Sequence, residues 1–315
     1  MKRIVLRLLR LYSILKNRQV SGDNHYFIRD NYYARLLQTK YVVKDTVVKT
    51  PYKVIEYHGE FQQELLFVLP FAYWHHLNGT LLRTASCTNT RELYFFSPSH
   101  QEKFAEREWE SNDESYEIPN MTHCNSFDYR KWAPVPLKAT YQNEVFVYEK
   151  PILVIANKFN IEWGQPPINY FSIEVLDTLI ATLSGKYQIL YNRPSASSIV
   201  LDNSEILELN EHDWLRKQHP EVLLMEDLYQ EHRASVNSFN HFQLLVYANA
   251  SAFISVHGGT ATLASYFGGK NIIFSKRGVE HALQEFTTIF PKLSGATIYH
   301  AKTEAELLAY AEQHY

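Results

Sequence analysis

Apolar and polar positions along the chain follow strand-like spacing in some stretches and helical spacing in others. Over residues 41–57 the clusters Tyr41-Val42-Val43, Val47-Val48 and Tyr52-Lys53-Val54-Ile55-Glu56-Tyr57 predict extended chain. His58-Gly59-Glu60 turns into the run 61–77, whose Leu, Phe and Trp residues recur at helical spacing. Asn78-Gly79 supplies its stop signal. Short strands are expected at 93–96 and 144–148, and the acidic stretch 106–120 reads as a solvated helix followed by a loop.

After Lys150-Pro151 the pattern changes. Ile152-Leu153-Val154-Ile155-Ala156 is a continuous apolar run, as expected of a parallel strand covered on both faces. A loop over 157–167 contains Trp163, Gly164 and two prolines. Beyond it the pattern predicts helices at 168–183, 239–249 and 260–267, alternating with strands at 187–191, 206–208, 222–225, 252–256 and 271–274. Helices at 279–289 and 303–313 finish the chain. Such alternation implies a parallel sheet. With 315 residues, two domains of roughly 150 residues are expected. The expected fold class is therefore α/β, with two Rossmann-like domains, 1–150 and 151–315, enclosing a cleft. The last helix is expected to reach back to the N-terminal domain.

Residues 1–18 form a basic amphipathic pattern in which Ile4, Val5, Leu8, Leu9, Leu11, Ile14 and Leu15 are mixed with Lys2, Arg3, Arg7, Arg10, Lys16 and Arg18. Two readings stand side by side: a helix lying on an anionic membrane face, or a first helix packed on its own domain with a solvated basic edge. No run reaches the ~20 apolar residues of a membrane span, and no signal peptide is recognisable.

The hydrophobic fraction of 45% with 21% charged residues is that of a globular protein. A net charge of -3 gives no basic field to draw the chain onto nucleic acid. Cys87 and Cys124 have neither disulfide-framework nor zinc-ligand spacing, which fits a reducing, cytoplasmic setting. The 22 tyrosines suit either ordinary packing or platforms for sugar rings.

The sharpest chemical signal is Ala252-Phe253-Ile254-Ser255-Val256-His257-Gly258-Gly259-Thr260-Ala261-Thr262-Leu263, a buried strand turning on two glycines into a helix. In an open α/β sheet this is the ligand-facing edge, where glycines let a diphosphate approach the backbone N–H groups of a helix start. Thr260 and Thr262 offer hydroxyl donors, and His257 a phosphate or sugar contact. The same residues also describe a plain tight turn with Thr260 as N-cap.

The segment 239–274, with Tyr247-Ala248-Asn249-Ala250, Phe253 to Thr260 and Asn271-Ile272-Ile273-Phe274, resembles the donor-binding segment of GT-B glycosyltransferases. His58-Gly59-Glu60-Phe61 with Glu64-Leu65-Leu66 resembles a Gly-Glu-Phe-Gly-x-Glu-Leu pattern of sugar transferases in the same group, with Gln62 standing where that pattern has its second Gly. The resemblance implies a nucleotide-sugar donor on the C-terminal half and a glycan or lipid-linked acceptor on the other.

Inverting transfer needs a base for the acceptor hydroxyl and stabilisation of the departing diphosphate. Glu60, in the Gly turn at a strand end, is the candidate base, with His58 as a positioning or catalytic partner. Lys158 and Arg193, each just past a predicted strand, are candidate phosphate cations. Glu226 is a candidate for ribose or base contacts, and Trp163 for stacking. Each also has a plain reading, as a solvated charge, a helix-start carboxylate or a core ring. The chain has no Asp-x-Asp for a divalent-metal clamp, no His-Glu-x-x-His and no Gly-x-Ser-x-Gly, so neither metal nor other cofactor is expected beyond the nucleotide-sugar co-substrate. Two further readings remain: a pyruvyl or other non-sugar transferase on a similar fold, and a carbohydrate- or nucleotide-binding protein without turnover.

Overall fold

The computed structural model describes residues 2–315 except 19, 21, 23, 109–116, 119–127, 162–163, 196–199, 201–203, 279 and 282–283, together with the side chains of 24 and 27. Cys124, Trp163 and most of the stretch 106–120 therefore lie outside the described residues. The architecture is mixed α/β with parallel sheets. β1 (Lys53–Glu56), β2 (Leu81–Cys87) and β3 (His100–Phe104) form a three-stranded parallel sheet in that order.

β4 (Ile152–Ala156), β6 (Gln188–Asn192), β8 (Leu223–Leu224), β9 (Ala252–Val256), β10 (Lys270–Phe274) and β11 (Thr297–Ala301) form a second sheet, ordered β11-β10-β9-β4-β6-β8 and parallel throughout. β5 (Asn160–Ile161) and β7 (Glu205–Ile206) make a small antiparallel ribbon outside it. Of the strand expected at 206–208, only Ile206 is extended, and it belongs to this ribbon rather than to the main sheet.

The apolar run of β4 is buried on both faces, and its period-two alternation divides it between two cores. Leu153 and Ile155 face a cluster built with the helices Ile173–Leu183 and Glu304–His314. Ile152, Val154 and Ala156 face a cluster that includes the helix Phe239–Ala248 and continues into the helical run 61–77 and the β1 to β3 sheet. The two sheets are thus joined through one continuous apolar body. The last helix packs on Ile173–Leu183, β10 and β11, not back on the N-terminal half as expected, because its buried Leu307 and Ala311 match the outer core of its own sheet. Side-chain caps Ser172, Ser238 and Thr303 start the helices Ile173–Leu183, Phe239–Ala248 and Glu304–His314 by accepting an N–H three residues on.

Several local expectations give way to tertiary context. Residues 41–47 are not extended but end the long helix Asn24–Val47, which pairs with the first helix, Lys2–Lys16. Its β-branched residues tolerate helix because packing decides, and the buried Asp45 is held there by Lys131 and Tyr52. Residues 93–96 are turns whose Leu93, Tyr94 and Phe96 fill the core, and 144–148 are a bend at 144–146 followed by irregular chain. β2, β3 and β11 carry no expected strand: β2 mixes Thr84, Ser86 and Cys87 into a buried strand, and β3 is exposed and charged. Over 279–289 the described residues include helical Glu280 and His281 and the short helix Glu285–Thr288, and a further helix, Phe290–Ser294, follows.

Candidate functional site

When the six strands are numbered in chain order within their sheet, the order reverses between β4 and its neighbour β9. At such a switch point the connections leave in opposite directions, so a crevice opens outside the carboxyl ends of the two strands. β4 ends in Asn157-Lys158 and β9 in His257-Gly258-Gly259. Two of the candidate segments are thus brought side by side by topology.

Gly258 has φ +124° and ψ −160°, a conformation that residues with a Cβ avoid, and it caps the short helix Gly259–Ala264. Thr260 is not the cap but lies inside that helix, two residues after Gly258. A Cβ on Gly258 would lie 3.5 Å from the Lys158 ammonium, so this cation is beside the bend. A Cβ on Gly259 would lie 2.7 Å from Phe61 Cδ1, so the second glycine is required by the ring of Phe61 from the N-terminal half. Thr262 is fully buried and its hydroxyl donates to the Gly258 carbonyl at 3.1 Å, bracing the bend from beneath.

Phe61 follows Glu60 directly, and this places the Tyr57–Glu60 loop at the same crevice. The loop is anchored from behind. Glu64 is wholly buried in a π-helical turn, Glu64–Val68, where its carboxylate accepts from Ser86, from Tyr94 (2.8 Å) and from Arg107 (2.7 Å). The same guanidinium donates to the Gly59 carbonyl at 2.8 Å and lies 4.9 Å over the Phe61 ring. Glu60, half-buried, occupies the cap position of the helix Phe61–Gln63 without using its side chain as the cap. His58 turns to the other side, stacked on Phe104 with ring centroids 4.4 Å apart and 3.3 Å from Glu108.

His257 forms one half of a largely buried pair. Its Nε2 lies 2.6 Å from Glu280 Oε1, and its Nδ1 is 3.4 Å from the Asn169 side-chain amide nitrogen. Gln62 reaches across from the N-terminal half and donates to the same Glu280 oxygen at 3.1 Å. The other oxygen, Oε2, is buried with no hydrogen-bond partner among the described residues, beside Gly278, where a Cβ would collide with it.

Burial pushes the Glu280 carboxyl up, but the His257 hydrogen bond and charge, its own backbone N–H and Gln62 outweigh that and hold it down to about 2. Glu285 behaves oppositely: burial first, then the Glu280 charge, push it up to about 8 against the opposing Gln62 bond. Two neighbouring carboxyls are therefore held in different protonation states at neutral pH.

Arg193 and Glu226 belong to a second cluster, at the ends of β6 and β8. Arg193 is buried, paired through Nε with Glu211, and donates to the Leu207 carbonyl at 3.2 Å. His212 bridges Glu211 (3.4 Å) and Glu226 (3.6 Å). A hydrogen-bond chain joins this cluster to the β4 edge: Tyr191 donates to Glu211 at 3.1 Å and accepts from Asn157 at 3.0 Å.

The structure therefore sets Lys158 beside Gly258, seats Gly259 against Phe61 of the Glu60 loop, and pairs His257 with Glu280. Arg193 and Glu226 are committed to carboxylate and histidine partners, and His58 to Phe104 and Glu108. Sequence reading missed Glu280, Glu285, Asn169 and Glu211, none of which falls in a recognisable motif. The one available signal was Gln62, the departure from the Gly-Glu-Phe-Gly pattern, whose amide joins the two halves.

No protein-family model matches the chain, and no characterised sequence relative matches it. Among solved structures, a histidine-to-asparagine variant of the wall teichoic acid polymerase TagF matches at 10% identity and a TM-score of 0.34, over 97% of this chain and 88% of that one. The same variant soaked with CDPG matches over the same shares at 10% identity and a TM-score of 0.32. At that level of likeness the match assigns no activity.

Proposed function

We propose that the chain is a glycosyltransferase of the GT-B kind that moves a sugar from a nucleotide-activated donor to a glycan or lipid-linked acceptor at the cytoplasmic face of a membrane. The observation that carries this reading is the coincidence, at the sheet's switch point, of a glycine-only bend with the Lys158 ammonium beside it, facing a carboxylate-bearing loop from the other half. Phosphate oxygens at that bend receive the Lys158 charge and the N–H groups that open the helix.

In this scheme Glu60 takes the proton of the acceptor hydroxyl. The acceptor oxygen attacks the anomeric carbon, and the bond to the diphosphate oxygen breaks with inversion, leaving charge on the nucleotide where Lys158 and the bend stabilise it. Glu280, fixed by His257 and Gln62, holds the His257 ring in place beside the bend. Arg193 acts through Glu211 as a support beneath the edge, and the scheme uses no metal.

A thermal-shift series of nucleoside diphosphates and their sugars tests the first half. A ligand at a hundred times its Kd stabilises by about 2.7 kcal/mol, and Lys158→Ala should abolish the shift. Glu60→Gln should keep donor binding and lower transfer to labelled acceptor by roughly 10²–10⁴-fold. Donor binding with no transfer by the unaltered chain to any acceptor would favour a binding protein, and turnover unaffected by Glu60→Gln would remove Glu60 as base.

A further inference from the structure

The helix Lys2–Lys16 has two different apolar faces. Val5, Leu6, Leu9 and the fully buried Ser13 turn inward, and Ser13 meets His25 of the helix Asn24–Val47 at 3.1 Å. Ile4, Leu8, Leu11 and Leu15, spaced i, i+4, i+7 and i+11, share the opposite face and remain 64%, 61%, 59% and 64% exposed. Four large apolar side chains in one stripe are far more than the scattered exposed leucine that any surface carries. The neighbouring helix repeats the feature with Leu36, Val43 and Val47, which share a face at i, i+7 and i+11 and are also exposed.

The charge of the same helix identifies what covers the stripe. Lys2–Lys16 contains five basic residues and no acidic one, and Arg18 follows. On a helical projection Arg3, Arg7 and Arg10 flank the stripe along one side and Lys16 lies along the other. A protein partner would need a matching acidic rim around an apolar groove. An anionic bilayer offers both at once, hydrocarbon beneath negative headgroups. At about 1.5 Å rise per residue the helix is on the order of 22 Å long, shorter than a ~30 Å hydrocarbon core, and no described helix is long and apolar enough to cross a membrane.

We infer that the Ile4, Leu8, Leu11 and Leu15 face of the first helix docks the protein onto an anionic lipid surface, lying in the plane of the interface. The stripe enters the acyl boundary while the arginines beside it meet lipid phosphates. The docking rests on the helix alone, so its failure would remove the membrane placement from the proposed function and leave the transfer chemistry to its own test, and the reverse.

Flotation of the full chain with vesicles tests it. Vesicles of phosphatidylcholine and phosphatidylglycerol in equal parts should carry the protein, phosphatidylcholine alone should not, and added salt should release it. Arg3→Ala with Arg7→Ala should weaken binding on the order of thirtyfold, about fivefold for each basic residue lost. Leu8→Glu with Leu15→Glu should abolish it while leaving circular dichroism and the unfolding temperature unchanged, because both side chains are already in solvent. In Leu11→Trp, emission should move to the blue only with the anionic vesicles. Equal binding to neutral vesicles, no binding to either, or a concentration-dependent dimer that Leu8→Glu with Leu15→Glu dissolves would each overturn the inference.

Discussion

Replacing Glu285 by Gln isolates the most perturbed carboxyl of the site. The side chain is 2% exposed, and burial with the neighbouring Glu280 charge raises its pKa from 4.5 to about 8. Between about pH 4.5 and 8 the unfolded chain has released a proton that the folded chain retains. Folding is then favoured by protons, and stability falls as pH rises through this window. The contribution is fully present below about pH 4.5 and lost once pH passes about 8. At about 1.4 kcal/mol for each tenfold change, the whole window is worth roughly 5 kcal/mol, an upper figure because local relaxation and water entry reduce it.

Glu280 has the opposite sign. With its pKa held down to about 2, its contribution is present above about 4.5 and lost as pH falls toward 2, outside the same window. Glutamine has nearly the shape of a protonated glutamic acid and cannot ionise. Urea unfolding of both proteins across pH 5 to 8 should show wild type and Glu285→Gln close together near pH 5. Near pH 8 the variant should be more stable by several kcal/mol. Parallel stability curves across that range would refute the assignment of a retained proton to Glu285.

Other substitutions test neighbouring parts of the argument. Gly259→Ala should cost about 1–3 kcal/mol through overpacking against Phe61, and Phe61→Leu in the same chain should recover part of it in the unfolding midpoint. Arg193→Ala should destabilise by roughly 3–5 kcal/mol, because Glu211 is left as an uncompensated buried charge; an unfolding midpoint equal to wild type would show that the pair is not formed. Arg107→Ala should produce a loss of similar size by freeing Glu64, and should make the amides around Gly59 exchange faster with solvent; unchanged protection there would detach Arg107 from loop positioning.

Much of the C-terminal sheet is readable from local pattern because its strands are covered on both faces. β4, β9 and β10 are short, nearly continuous apolar runs, and the helices between them carry one apolar stripe each. The N-terminal half is less legible. β2 buries polar Thr84 and Ser86, which hydrogen-bond to His100 and Glu64, so its burial leaves no apolar signature. Residues 41–47 carry strand-forming side chains, yet they complete a helix because Asp45 finds Lys131 only in that conformation's position on the core.

For the candidate site the division is similar. The strand-turn-helix at His257-Gly258-Gly259, the turn at Gly59-Glu60 and the basic helix at the start are legible from adjacent residues alone. That Gln62, 218 positions from Glu280, bonds to it, that His257 pairs with that same carboxylate 23 positions on, and that Arg193 is held by Glu211 emerges only once distant segments are folded together. Local patterns report how a segment bends and which face it buries. Which side chains meet across the crevice follows from strand order and from how the two sheets dock, and neither is encoded in the spacing of neighbouring residues.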